Sequence, residues 1–108
     1  MTAQTRRNLS DAQGARRLER IVKGFANHRR IQILRLLEAE ENLTLLDLCQ
    51  ATHTDVKTAS EHVRRMHNAG LVSKRRKGRW VRHALTELGR SVVGILKAFD
   101  AEKPSRDA

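Results

Sequence analysis

Between Asp55 and His83 lies a run of side chains whose types and spacing suit contact with a polyanion. Lys57, Thr58, Ser60, Glu61 and His62 are polar groups of different reach, set close together along the chain. In a helix laid against DNA, Lys57 could read the acceptors of guanine, Thr58 could offer its methyl to thymine, and Glu61 could accept from the amino group of cytosine. Arg64 and Arg65 lie further along and suit phosphates, which fix register without reporting sequence. The stretch SKRRKGRWVRH (73–83) follows, with six cations in eleven residues: Lys74, Arg75, Arg76, Lys77, Arg79 and Arg82. Lys77 and Arg79 flank Gly78 and are expected to protrude furthest, toward backbone phosphates or a minor groove. If about four to six such contacts form, log affinity should fall with log salt at a slope near −4 to −5.

The charge is unevenly spread. The chain of 108 residues carries a net charge of +10. Between His53 and His83 nine Lys/Arg stand against two acids, whereas the rest of the chain holds thirteen against ten. Such concentration is the footprint of a nucleic-acid-binding face, set against the simpler reading of a solvated charge run. With two Phe and one Trp, the core must be built from Leu, Ile, Val and Ala. One cysteine cannot form an internal disulfide, no stretch is apolar enough to span a bilayer, and the N-terminus lacks the apolar core of a secretory signal. A cytoplasmic, nucleoid-associated protein with no membrane partner is the expectation. Enzyme signatures are not found: there is no Gly-rich phosphate loop, nucleophile elbow or pair of acids in an apolar setting. No cofactor is expected.

These side chains need elements to hold them. Residues 1–11 show no periodicity and read as a disordered N-terminal arm. Leu18, Ile21, Val22 and Phe25 fall at i, i+3, i+4 and i+7, one stripe of a helix that begins near Ala12. Residues 28–39 form a second helix after Asn27, with Ile31, Leu34 and Leu37 inward and Ile33 and Leu36 widening the face. Asn42, Leu43 and Thr44 could pair as a stub of strand, and 45–52 read as a short helix. Thr54 caps and Asp55 opens the helix 55–69, seated by Val56, Ala59, Val63 and Met66, with Gly70 as a left-handed stop. Strands at about 71–76 and 80–85 then make a hairpin around Lys77-Gly78-Arg79, with Trp80 packed inward rather than stacked on bases. Thr86 and Glu87 start the last helix, whose stripe is Leu88, Val92, Ile95 or Leu96, and Phe99. The predicted fold is mostly α with a small β-hairpin, α-α-(β)-α-α-β-β-α: a helix-turn-helix with a basic wing over residues 12–100, followed by a flexible tail at 101–108.

Cys49 and His53 make a C-x3-H pair that could ligate a metal on a helix. No second ligand pair stands nearby, and a small buried thiol suits this position of a helix-turn-helix, so no metal site is expected. His28, His62, His67 and His83 show no ligand spacing.

NHRRIQILRLL (27–37) resembles the NPxRLxILxLL helix of ArsR-type winged-helix regulators, and LLDLCQATHTDVKTASEHVRRMHNAGLV (45–72) resembles their xxxLAxxxGxSxxTVSxHLxxLxxAGLV. LTELG (85–89) is similar to the LTxxG that opens the last helix in MarR-type and related regulators. The resemblance covers about residues 18–99. Position by position it places Thr58, Ala59, Ser60 and His62 in the recognition helix and Ala69-Gly70-Leu71-Val72 at its exit. It implies a homodimer built from the first and last helices, for which Leu18, Ile21, Val22 and Phe25 could meet Val92, Val93, Leu96 and Phe99 of a partner. ArsR metal sensors carry CxCDL where this chain has Thr44-Leu45-Leu46-Asp47-Leu48, so metal sensing of that type is not implied. Lys57 replaces a position commonly small or proline, so an operator preference is not carried over.

The expectation is a dimeric, sequence-specific transcriptional regulator of double-stranded DNA, acting as a repressor through helix 55–69 and wing 73–83. The rivals are a winged-helix module for protein or RNA, and a non-specific architectural DNA binder.

Overall fold

Every helix begins at a side chain that accepts from its own first turn, which removes donors that a helix start otherwise leaves unpaired. In the computed structural model, which describes residues 1–102, these caps are Thr2, Asp11, Asn27, Thr44, Asp55 and Thr86. They open α1 (Ala3–Leu9), α2 (Ala12–Phe25), α3 (His28–Ala39), α4 (Leu45–Thr52), α5 (Val56–Asn68) and α6 (Glu87–Ala101). Three strands complete the fold: β1 (Leu43–Thr44), β2 (Val72–Lys77) and β3 (Trp80–Leu85), in the antiparallel order β1-β3-β2. The architecture is mostly helical with a small sheet, and its element order from α2 onward is the one expected.

Three local expectations are corrected. Residues 1–11 contain helix α1, capped by Thr2, although none of its residues is buried. The cap of α5 is Asp55 rather than Thr54, because the Asp55 carboxylate reaches the Thr58 N–H at 2.8 Å while the Thr54 hydroxyl is 2.8 Å from that of Thr52. At the C-terminus α6 runs to Ala101, and residues 103–108 of the expected tail lie outside the described residues.

The core gathers Ile33, Leu34 and Leu37 of α3, Leu48 of α4, Val63 and Met66 of α5, and Val92 and Val93 of α6 around Leu71, Val72 and Leu85. Within α5, Ala59, Val63 and Met66 seat the helix, but Val56 is exposed. Val56 is the first helical residue and overhangs the core that begins one turn later. Gly70 ends α5 at φ +82°, a conformation that an L side chain adopts only with strain. Immediately after it, Leu71 becomes the hub that joins helix, sheet and α6.

At the root of the sheet His83 is buried, and its Nδ1 lies 2.9 Å from the Leu43 carbonyl oxygen. Burial pushes the imidazole pKa down, against the hydrogen bond to Leu43, with the nearby charges of Lys74 and His67 adding to the depression. Because the folded pKa lies below the unfolded one, the unfolded chain binds the proton first as pH falls. His83 therefore stabilises the fold fully above the ordinary histidine value of about 6.5, and that contribution is lost as pH falls below it. A melting temperature followed from pH 7.5 to pH 5 should fall. In His83→Asn, which keeps a donor for Leu43, the fall should be smaller; equal falls in both proteins would count against this assignment.

Candidate nucleic-acid interface

Helix α5 presents one polar side to solvent, because Ala59, Val63 and Met66 all point inward. Lys57, Thr58, Ser60 and Glu61 are exposed and His62 is half-buried, so the five candidate base readers share the outer side and its flank. Their states differ. Thr58 donates its hydroxyl to Asp55 Oδ2 at 2.9 Å, which engages its proton within the cap and leaves its methyl for outside contact. The Thr58 N–H, and after it the same hydroxyl, hold the Asp55 carboxyl below the usual carboxylate range. His62 Nδ1 accepts from Arg30 Nε at 3.2 Å, which places the proton of a neutral ring on Nε2. Burial, then the charges of Arg30 and Arg65, push its pKa down, so His62 is a neutral single donor near pH 7. Arg30 itself is fixed by a 2.7 Å bond to the Lys23 carbonyl oxygen. Sequence reasoning missed this positioning residue, since Arg30 and His62 lie on different helices and no local pattern links them.

Glu61 is the most constrained of the set. Arg64 holds it through two hydrogen bonds of 3.0 and 2.6 Å, and Arg65 adds a third at 3.1 Å. These bonds lower its pKa to about 2, with the Arg64 hydrogen bond the largest cause. The carboxylate is thus ionised across the physiological range and occupied by the two arginines expected to meet phosphate. Glu61→Gln should release both arginines for a polyanion. Duplex affinity should rise severalfold for all sequences, and the salt slope should steepen by about one to two units. An unchanged slope would mean that neither arginine faces phosphate.

The wing is a two-residue hairpin. Lys77 pairs with Trp80, so its tip is Gly78-Arg79, and Gly78 takes φ +61° while Arg79 does not enter the positive region. A glycine in first position is what such a primed turn requires. Lys74, Arg75, Arg76, Lys77 and Arg79 are all exposed. The register sorts them: Arg75 lies opposite Arg82 and Lys77 opposite Trp80 on one face, while Lys74 opposite His83 and Arg76 opposite Val81 occupy the other. Arg82 is half-buried and donates to the Asn42 carbonyl oxygen at 3.1 Å, so it braces the root of the wing.

Trp80 is not the inward anchor expected of it. It is 49% exposed, with the Arg79 guanidinium 5.5 Å from its ring centroid. Strand alternation gives the reason: with Val72, His83 and Leu85 facing the core, Trp80 falls on the opposite side of β3. It lines an apolar hollow of about 330 Å³ with Leu45, Leu46 and Val56, between the wing and the starts of α4 and α5.

Of the expected dimer contacts, Leu18 and Val22 on α2 and Phe99 on α6 are exposed, while Ile21, Phe25 and Leu96 are half-buried against the core. Val92 and Val93 are 3% and 2% exposed and fill the core of the protomer, so they are not available to a partner. Ile95, half exposed, stands in their place on the outer side of α6. Cys49 is buried within α4 and His53 is exposed at its end. Among the described residues no group of three or more His, Cys, Asp or Glu converges on a point, and no helix is long and apolar enough to cross a membrane.

A capped α4, a left-handed turn at His53, an outward polar α5 and a basic hairpin together define a winged helix-turn-helix protein. Residues 27–74 match the family model described as bacterial regulatory protein, arsR family. Over that stretch the chain is similar to bacterial regulatory proteins of the arsR family. Solved structures agree. The homodimeric winged helix-turn-helix DNA-binding domain (fragment 1-100) of a possible ArsR-family transcriptional regulator from Mycobacterium bovis is similar at 28% identity and a TM-score of 0.76, covering 89% of this chain and 91% of that one. The transcriptional regulator HlyU from Vibrio vulnificus is similar at 29% identity and a TM-score of 0.69, over 85% of this chain and 97% of its own. NolR from Sinorhizobium fredii, at 19% identity and a TM-score of 0.74 over 92% and 93%, shares the fold. No curated protein matches the chain.

Proposed function

We propose that the chain is a homodimeric repressor that occupies promoter DNA in the cytoplasm, on the nucleoid. Residues 12–100 form the DNA-binding unit. Each protomer lays α5 in a major groove and sets the tip Gly78-Arg79 on flanking backbone, so a dimer reads two half-sites about one helical turn apart. The observation that carries this reading is the pairing of two surfaces: an α5 whose polar residues 57–62 face away from the core, and a wing whose cations are nearly all exposed. Lys57 and the Nε2–H of His62 are assigned to base acceptors, the Thr58 methyl to thymine, and Ser60 to either kind of edge. Glu61 is assigned to cytosine only when an arginine leaves it.

Support for the dimer comes from the exposed Leu18, Val22, Ile95 and Phe99 and from the homodimeric Mycobacterium bovis structure. Gel shifts against specific and random duplexes at several salt concentrations test the reading. A site bound at least about a thousandfold more tightly than random sequence is expected. Equal affinity for every duplex would make the protein architectural, and no binding at low salt would leave a module for protein or RNA.

A further inference from the structure

The basic surface does not end at α5. Residues 1–30 carry eight Lys/Arg against two acids, an excess almost as dense as that of the wing region. On α2, Arg16, Arg20 and Lys23 follow i, i+4 and i+7, one stripe of the helix. The exposed apolar residues Leu18 and Val22 lie on the other side, so pairing of protomers through that side leaves the cations accessible. Gly24 fixes how near this stripe comes to the recognition helix. It is buried, and a Cβ placed there would lie 2.4 Å from the Ala69 Cβ at the end of α5. This close approach opens a cleft of about 370 Å³ rimmed by Arg20, Lys23, Arg64 and Arg65, with Asn68 among its lining.

We infer that this cleft seats a backbone phosphate of the same duplex whose major groove receives α5, an assignment that rests on the DNA-binding reading above. Four cations meet there with two carboxylates: Glu19, 3.6 Å from Lys23, and Glu61 on the two arginines. Arg20 has no carboxylate partner among the described residues. The pairs are solvent-exposed, and exposed ion pairs are worth little in water, so a phosphate oxygen can take a carboxylate's place. The cleft is open and its cations stand at the rim on flexible stems, which suits a passing backbone better than a small free anion. It also continues the outer side of α5 without a break, since Arg64 and Arg65 belong to both surfaces.

The test is the salt dependence of duplex binding in the full chain with Arg20→Gln and Lys23→Gln combined. Both side chains are exposed, so the fold should melt as in the parent. The slope of log affinity against log salt should become shallower by about one to two units, and affinity near 0.15 M salt should drop about fivefold to thirtyfold, equally for all sequences. The charge-keeping pair Arg20→Lys and Lys23→Arg should retain the parental slope. If the Gln pair binds as the parent does while Arg79→Ala still weakens binding, the cleft assignment fails and the DNA reading stands. If the parent binds no duplex at low salt, both fail. Calorimetry with pyrophosphate on DNA-free protein separates the sources of phosphate. No saturable binding is expected, and one-to-one binding lost in the Gln pair would give the cleft to a free anion and overturn the assignment.

Discussion

Gly89→Ala is expected to destabilise the protein by about 2 kcal/mol and to lower its melting temperature by roughly 10 °C or more. Gly89 sits in the first turn of α6, where its N–H caps onto Thr86. A Cβ there would lie 2.3 Å from the Leu71 carbonyl oxygen, with Leu85 Cδ2 and the Leu71 carbonyl carbon at 3.2 and 3.3 Å. The obstacle is backbone, and it cannot swing aside. The same Leu71 oxygen already accepts from the Thr86 N–H at 3.1 Å, so moving it would disturb the entry to α6 as well as the exit from α5. Against this stands the helix preference for Ala over Gly of about 0.8–1.0 kcal/mol, which tempers the loss without reversing it. Gly94 provides the internal control. It lies in the same helix with nothing within 4 Å of an added Cβ, and Gly94→Ala should stabilise by up to about 1 kcal/mol. Thermal unfolding followed by circular dichroism reads both. Shifts of the same sign would show that the contact at Leu71 does not govern the effect.

Neutralising the wing is expected to have the largest effect on function. With Arg75, Lys77 and Arg79 all changed to Gln, duplex affinity near 0.15 M salt should fall about a hundredfold, and the salt slope should become shallower by about 2.7. Arg75 and Lys77 share one face of the hairpin and Arg79 forms its tip, so the three can meet one stretch of backbone together. All are exposed and none is in an ion pair among the described residues, so stability should stay within about 0.5 kcal/mol of the parent. Because phosphates carry no sequence information, the ratio of specific to random affinity should survive better than the affinity itself. A triple variant with unchanged slope would remove the wing from the interface.

Most of the fold was legible because its boundaries are chemical. Asn27 and Thr86 are short acceptors at helix starts, and Gly70 and Gly78 take positive φ where the chain turns. What escaped depends on relations that no local pattern carries. Val92 and Val93 fill the protomer core while Ile95 and Phe99 face out, because α6 is apolar on two sides and only packing against α3 and β3 selects one. Trp80 was misplaced because its side of the strand is set by register, whereas composition alone marks it as core-like. The candidate site was legible as residue types and positions. Its electrostatic state was not, since the grip of Arg64 and Arg65 on Glu61 and of Arg30 on His62 arises from geometry across turns and helices. The cations of α2 escaped for a related reason: they become part of a basic surface only through the Gly24–Ala69 approach.

The short strand β1 gives the wing a mechanical character. Leu43 and Thr44 pair only with His83 and Arg82, and Asn42 adds a 3.0 Å bond from its N–H to the His83 carbonyl oxygen. The hairpin is therefore a cantilever, clamped by β1 over its last rungs and without a third strand beside it from Arg76 to Val81. Opening free energy should climb along the beam from tip to clamp, and amide hydrogen exchange should slow in the same order. A beam of this kind bends at its free end without disturbing its mounting. On the DNA-binding reading proposed above, the tip follows a groove of varying width while the clamp, rooted beside α4, stays in place.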